Sequence, residues 1–189
     1  MRILIPGFPG STILNQVARD VTEDEFGDDL DAYMSEMLIT MYGNNGVGLA
    51  APQVGDSRRL IVIDTGHVGD YSPASAYGGG YASGALKLVN PVILEASETE
   101  ITSEEGCLSL PSMAVKVSRP DEVSVRYQTV TGDFVEEIFT GFVAVIIQHE
   151  IDHLDGITLL KHASSLKRSR FNKKLKKISK RLMERANAG

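Results

Sequence analysis

The chain has 189 residues, of which 42% are hydrophobic and 23% charged, and these values are typical of one globular domain and exclude a wholly disordered protein. No apolar run approaches the roughly 18 to 20 residues that cross a bilayer, and the apolar start is too short for a signal peptide. We therefore expect a cytoplasmic protein with no membrane partner. The single cysteine, Cys107, excludes an internal disulfide and is typical of a reducing compartment.

The net charge of −6 is divided unevenly along the chain. Residues 1–160 sum to −16, whereas residues 161–189 carry eleven Lys and Arg residues against one acid and sum to +10. Such a basic segment is typical of a tail that binds an anionic partner, but a lysine-rich helix is often only a solvated surface. The charge pattern leaves both interpretations open.

The first predicted element is a helix over residues 22–42, where apolar residues recur with the spacing of one buried stripe. The stripe consists of Leu30, Tyr33, Met34, Met37, Leu38 and Met41. Thr22 and Glu25 have the spacing of a capping box, although Gly27 could delay the start of the helix to one of the next two residues. Residues 43–46, Gly-Asn-Asn-Gly, should end the helix because they tolerate left-handed backbone conformations.

The middle of the chain predicts β-structure, because short runs of strand-forming residues alternate with turn residues. The predicted strands are 60–64, 86–95, 113–118, 122–130 and 134–139. Asn90 and Pro91 should mark either a bend in the second of these strands or an edge position of it. Residues 65–85 are rich in Gly, Ser, Ala and Tyr without periodicity, so we predict a long surface loop there.

Two further helices are predicted after the strands. Residues 141–154 are strongly apolar and partly β-branched, but histidines four residues apart and a terminating Asp-Gly favour a helix over a strand. A last helix over 165–185 is basic, with a narrow apolar stripe. The stripe is Phe171, Leu175, Ile178 and Leu182. This order of elements predicts an α+β fold, with antiparallel or mixed sheets packed around helix 141–154 and helices at both ends.

The sequence His-Glu-Ile-Asp-His at 149–153 predicts a metal site. His149 and His153 lie on one helical face, so both imidazoles can reach one ion, and Glu150 can approach the site without ligating the metal. A hydrolytic site usually needs a third protein ligand. The spacing of His162 does not match a metzincin, and a thiolate is a good ligand for zinc or ferrous iron, so Cys107 is favoured.

Residues 46–53, Gly-Val-Gly-Leu-Ala-Ala-Pro-Gln, form a third notable segment. We interpret it from its spacing as a glycine-rich turn after the first helix, where backbone can approach another group closely. It is not a dinucleotide-binding fingerprint, because we predict no strand before it and alanine occupies the last glycine position.

Together, residues 46–53, the run Glu-Gly-Cys-Leu-Ser at 105–109 and Gln-His-Glu-Ile-Asp-His at 148–153 resemble the three ordered motifs of the peptide deformylase family. The resemblance extends from about residue 3 to about residue 185, and looks closer to the type 1 group of bacteria and organelles. It implies an enzyme that removes the N-formyl group from formylmethionyl nascent peptides. The host could be a bacterium, an organelle or a phage-infected cell.

The resemblance also implies roles for individual residues. Cys107, His149 and His153 would bind one divalent metal ion, commonly Fe²⁺ in cells, although Zn²⁺, Ni²⁺ and Co²⁺ suit the same ligands. Glu150 would act as general acid and base while an activated water attacks the formyl carbon. The oxyanion would be stabilised by two donors, the side-chain amide of Gln53 and the backbone N–H of Leu108.

The same resemblance predicts how the peptide binds. The methionine side chain would enter an apolar pocket lined by Val47, Val145 and Ile146, beside the ring of His149. The peptide backbone would lie along Val47, Gly48 and Gly106 like an added strand.

Several expectations concern the rest of the chain. Residues 1–164 would form the catalytic domain, and residues 165–189 a basic helix that either belongs to it or docks on ribosomal RNA. Asp152 could form a buried pair with Arg119, or both could be solvated. Many bacterial relatives have Arg where Ala114 stands.

We expect a monomer. The alternatives are a zinc endopeptidase and a nucleic-acid-binding module built on the tail.

Overall fold

A computed structural model describes residues 1–66 and 84–186, with residues 179–186 described by their backbone alone. It confirms the predicted α+β class. The helices are α1 (Asp28–Gly43), α2 (Gly141–Leu154) and α3 (Ser165–Ala186). The strands are β1 (Gly48–Ala50), β2 (Leu60–Ile63), β3 (Leu86–Ala96), β4 (Glu100–Gly106), β5 (Ala114–Pro120), β6 (Glu122–Gln128) and β7 (Phe134–Thr140). Within the described residues, no helix is both long and apolar enough to cross a membrane.

The strands form two sheets. Five of them form one sheet in the order β1-β2-β3-β6-β7, and β4 pairs with β5 in a separate two-stranded sheet. Every pairing between these strands is antiparallel, so the antiparallel form of the prediction is the one observed. The bend predicted in β3 is present, because Asn90 has a φ of +50° and the register with β6 shifts between Val89 and Val92.

Helix α2 packs on both sheets. It contacts β1, β2 and β7 of the larger sheet and β5 of the smaller one. Its β-branched residues do not prevent helix formation, because they fill the core on the face toward the larger sheet. Val143, Ile147 and Ile151 pack there against strand residues such as Ile61 and Val125. The helix is therefore buried on nearly all sides, including the face that carries the two histidines.

Helix α1 begins after Gly27 and not at the capping box of Thr22 and Glu25. Thr22 and Glu25 do interact, since the Thr22 N–H donates to Glu25 Oε2 over 3.1 Å, but they close a short 3₁₀ turn at Glu23–Glu25. Gly27, with a φ of +116°, then redirects the chain, and α1 begins at Asp28. The predicted apolar stripe faces the core and packs on β1 and β2.

Two strands were not predicted from the sequence. Strand β1 has only three residues, Gly-Leu-Ala, which lack the β-branched side chains that mark strands. Strand β4 turns Ser103 and Glu105 toward the interior, so its buried face carries polar residues and the usual alternation is missing. The predicted loop 65–85 falls almost wholly outside the described residues.

Helix α3 packs on the domain through part of its apolar stripe. Phe171 and Leu175 are buried in a cluster with Met113, Val115 and Val117 of the β5 region. Ile178 is 38% exposed, so this packing weakens toward the C-terminal end of the helix. The first turns of α3 therefore contribute to the hydrophobic core.

Gly156, which follows α2, should tolerate no side chain. It has a φ of +68°, and a Cβ there would lie 2.9 Å from the backbone of Asn15. Gly7 has a similar φ of +85° but open space around it. We expect Gly7→Ala to lower the free energy of unfolding by about 1–2 kcal/mol through backbone strain, and Gly156→Ala to lower it further through the added clash. Urea denaturation measures both, and equal losses would show that the clash relaxes freely.

Candidate active site

Three candidate ligand atoms converge at the end of β4 and on α2. His149 and His153 lie one turn apart on α2, with ring centroids 5.1 Å apart, and Cys107 follows β4. One ligand atom from each of the three residues lies within 4.8 Å of the others. Cys107 Sγ and His153 Nε2 are 3.2 Å apart. The three residues that the sequence singled out as ligands are thus brought together.

The chemistry of this donor set fits one divalent ion. Burial lowers the pKa of His153 well below its usual value, which keeps its imidazole neutral and able to ligate. Burial also disfavours a proton on His149, but hydrogen bonds with Cys107 and Glu105 outweigh it and raise the pKa of His149 well above its usual value. Metal binding at these residues should therefore compete with a proton on His149 and weaken as the pH falls.

Glu105 orients the first histidine, a role that the sequence analysis did not assign. The Nδ1–H of His149 donates to Glu105 Oε2 over 2.8 Å, so Nε2 is the ring atom that could ligate an ion. Arg119 donates to the same carboxylate from Nε over 2.6 Å. Burial raises the pKa of Glu105, but its bonds with His149 and Arg119 prevail and lower it to about 2. The glutamate was visible in the second motif, but nothing in its spacing indicated this contact.

The predicted pair between Arg119 and Asp152 is present. Arg119 Nη2 lies 2.9 Å from Asp152 Oδ2, and the arginine side chain is only 7% exposed. Arg119 therefore joins β5 to both Glu105 of β4 and Asp152 of α2. This pairing compensates the charge of a buried guanidinium and holds the cysteine-bearing turn against the helix.

Glu150 is buried beside the ligands, with 4% of its surface exposed. Burial raises its pKa to about 7, and its Oε2 has no hydrogen-bond partner among the described residues. The carboxylate lies against the backbone of Gly48, where a Cβ would come within 2.5 Å of Glu150 Oε1 and 2.8 Å of Ile146 Cγ2. The sequence predicted that the backbone of residues 46–53 approaches another group closely, and that group is the Glu150 carboxylate on α2.

Gln53 is held by its own oxygen. Its Oε1 accepts a hydrogen bond from the Ala50 N–H over 2.8 Å, which fixes the orientation of the amide. Its Nε2 consequently points to the site and lies 3.5 Å from Cys107 Sγ and 3.4 Å from Ser109 Oγ. Leu108, the other predicted donor, directly follows Cys107 in the chain.

These residues border one cavity of about 740 Å³. It brings together most of the residues predicted for catalysis and for the peptide. They are Val47, Gly48, Gln53, Gly106, Cys107, Leu108, Val145, Ile146, His149 and Glu150. Sequence reasoning missed several apolar residues of the wall, which carry no local motif. They are Leu110, Met113 and Phe142.

A cluster of two buried histidines and a half-buried cysteine, beside a buried glutamate that borders a cavity, is typical of a metal-dependent hydrolase. Residues 7–169 match the family model described as polypeptide deformylase. The chain belongs to the polypeptide deformylase family, and it is an enzyme that removes the N-formyl group from nascent peptides. The family resemblance stated from the three motifs is confirmed, and the endopeptidase alternative is set aside.

Relatives agree over most of the chain. The peptide deformylase of Fusobacterium nucleatum is 40% identical over 179 residues, which cover 93% of this chain and 94% of the relative. The crystal structure of the Thermotoga maritima peptide deformylase superposes with a TM-score of 0.72 at 37% identity, covering 86% of this chain and 97% of that one. The structure of the Plasmodium falciparum peptide deformylase superposes with a TM-score of 0.79 at 30% identity, covering 97% of this chain and 98% of that one.

Replacing Cys107 with alanine should remove the metal. The two histidines that remain are too few to hold a structural or catalytic ion firmly, because such sites usually have three or four protein ligands. We expect metal content per chain to fall from about one to near zero, measured by plasma mass spectrometry after anaerobic purification. Ser112→Ala, at the rim of the same cavity, is the matched control and should retain its metal. A Cys107→Ala protein with full metal content would contradict the ligand assignment.

Proposed function

We propose that Cys107, His149 and His153 hold the single divalent ion with which this enzyme deformylates nascent formylmethionyl peptides, and that the ion is Fe²⁺ in the cell. The observation that carries the proposal is the convergence of the three ligand atoms next to the buried carboxylate of Glu150. A divalent ion at these residues supplies a Lewis acid that activates water near neutral pH. One thiolate and two imidazoles suit iron as well as zinc, nickel and cobalt.

Glu150 is the proton carrier in this proposal. Its carboxylate accepts the proton of the attacking water and delivers it to the departing amine, so the same residue acts as base and then as acid. Its pKa of about 7, raised by burial, suits both halves of that task at neutral pH. Contact with the backbone of Gly48 limits the positions that the carboxylate can adopt.

Gln53 and the backbone N–H of Leu108 are the proposed donors to the oxyanion. Gln53 Nε2 is directed toward the metal ligands because the Ala50 N–H anchors the opposite end of the amide. A donor that is already oriented needs no rearrangement when negative charge develops on the formyl oxygen.

The peptide is proposed to bind as an added strand between the two sheets. Strand β1 is at one end of the five-stranded order, and β4 belongs to a sheet of only two strands, so both present an edge. Val47 and Gly48 lie at the first edge and Gly106 at the second, and all three border the cavity. Val145 and Ile146 would form the apolar pocket for the methionine side chain.

The basic C-terminal segment is proposed to dock on ribosomal RNA. Its sum of +10 contrasts with −16 for residues 1–160, so one end of the chain suits a polyanion while the remainder is repelled by it. We propose residues 1–164 as the catalytic unit, to which α3 adds its packed first turns and a basic surface. We further propose that the enzyme is a monomer and that it acts in the cytoplasm.

Glu150→Gln should separate catalysis from metal binding. The amide cannot carry the proton, so turnover of formyl-Met-Ala-Ser should fall by about 10²-fold or more. Metal content should remain at wild-type level because Glu150 is not a ligand. Glu104→Gln, which alters an exposed carboxylate on the wall of the same cavity, is the control and should be nearly unaffected. Joint loss of metal and activity in Glu150→Gln would contradict the proposed role.

Shortening the tail should separate docking from packing. Removing residues 178–189 leaves Phe171 and Leu175 in place, so turnover and thermal stability should stay close to wild type while ribosome binding weakens and becomes less salt-dependent. Removing residues 165–189 should lower thermal stability as well, because both buried side chains are lost. Cosedimentation with ribosomes at several salt concentrations measures the effect. If the chain that lacks residues 178–189 binds ribosomes as well as the full chain does, docking through residues 178–189 is contradicted.

A further inference from the structure

A second, smaller cavity opens beside the active-site cavity, between residues 112–114 and the first turns of α3. It has a volume of about 210 Å³ and shares Ser112 and Met113 with the active-site cavity. Its other lining residues are Ala114, Lys167, Arg170, Phe171 and Lys174. We call it the cationic pocket. Because the two cavities have wall residues in common, a peptide that leaves the metal site in this direction passes directly over the pocket.

The pocket concentrates positive charge. Lys167, Arg170 and Lys174 recur on one face of α3, since spacings of three and four residues bring side chains to the same side of a helix. None of the described residues that line the pocket is acidic. Lys167 Nζ donates to the carbonyl oxygen of Ala114 over 2.7 Å. That partner is neutral, so the bond holds the ammonium group at the pocket without cancelling its charge.

The floor of the pocket is apolar. Phe171 is 7% exposed and Met113 is 8% exposed, and both belong to the cluster that fixes α3 on the β5 region. The packing of Phe171 and Met113 therefore fixes the position of the helix from which the cationic side chains extend. An apolar floor below cationic walls suits a side chain with a short aliphatic stem and a terminal carboxylate, as in glutamate or aspartate.

The pocket is within reach of a bound substrate. Gly106, next to the ligand Cys107, is the register partner of Ala114 across β4 and β5. Paired strands are about 5 Å apart, and an extended peptide advances about 3.3 Å per residue. Two or three residues beyond the methionine therefore bring a peptide from the metal to the cationic side chains.

We propose that the cationic pocket is a subsite for acidic side chains at the third and fourth positions of the nascent peptide, counted from the formylmethionine. The proposal rests on the peptide path proposed above. The subsite would also offset the repulsion of acidic nascent chains by the first 160 residues, which sum to −16. Peptides with acidic side chains would be favoured through a lower KM and not a higher kcat, because the pocket does not contact the reacting formyl group.

The test compares three formyl peptides on the full-length, metal-loaded enzyme. Formyl-Met-Ala-Ser-Ser, formyl-Met-Ala-Glu-Glu and formyl-Met-Ala-Lys-Lys differ only at positions three and four. At low salt, kcat/KM for the glutamate peptide should exceed that for the lysine peptide by about three- to tenfold, the range that one or two exposed ion pairs can produce. The difference should arise in KM rather than kcat, and 0.5 M NaCl should reduce it.

A double variant, Arg170→Gln with Lys174→Gln, should bring the ratio close to one while leaving the serine peptide unaffected. Lys176→Gln is the matched control, because Lys176 is on the opposite side of α3 from Lys174 and does not line the pocket. Equal kcat/KM for all three peptides on the wild-type enzyme would overturn the subsite while leaving deformylation intact. A ratio that survives the double variant, or is lost equally in Lys176→Gln, would also overturn it. No turnover of any peptide would instead overturn the proposed catalytic site.

Discussion

The metal site depends on how one carboxylate, Glu105, is shared. It accepts the Nδ1–H of His149 and two donors of Arg119, while Arg119 also pairs with Asp152. These groups are mostly withdrawn from water, and removing one partner of such a buried network typically costs about 3–5 kcal/mol. The network therefore constrains three elements at once. It fixes the histidine ring, the β4 strand that Cys107 follows and the strand β5 beside it.

A second constraint is the close packing of β1 on α2. The helix presents its buried glutamate to a strand whose backbone is near enough to need glycine at position 48. The same contact places the proposed base, the proposed peptide-binding edge and Ile146 of the proposed methionine pocket next to one another. Catalytic position and substrate position thus share one packing interface, so a change in helix-to-strand distance would disturb both.

Two functions are proposed for helix α3, attraction of a polyanion and selection among peptides. Phe171 and Leu175 anchor it in a cluster shared with Met113, which borders the active-site cavity. The part of the helix that carries the cationic residues of the pocket is consequently held beside the active-site cavity. Long-range attraction of a polyanion needs only charge, whereas selection among peptides needs charge at a defined place, and the packed face of the helix provides that place.

The sequence alone predicted the helix that carries the two histidines, most strands and the family. It also predicted that the two-histidine metal site needs a third ligand and favoured Cys107 for that position. These features are encoded locally, in helical spacing, in turn residues and in three ordered motifs. Strands β1 and β4 were missed because one is too short and the other buries polar residues such as Ser103 and Glu105. The role of Glu105, the need for Gly48 and the cationic pocket were decided only in three dimensions. Each depends on contacts between residues far apart in the chain, because sheet register and helix packing set those distances and neither is written in any short stretch of residues.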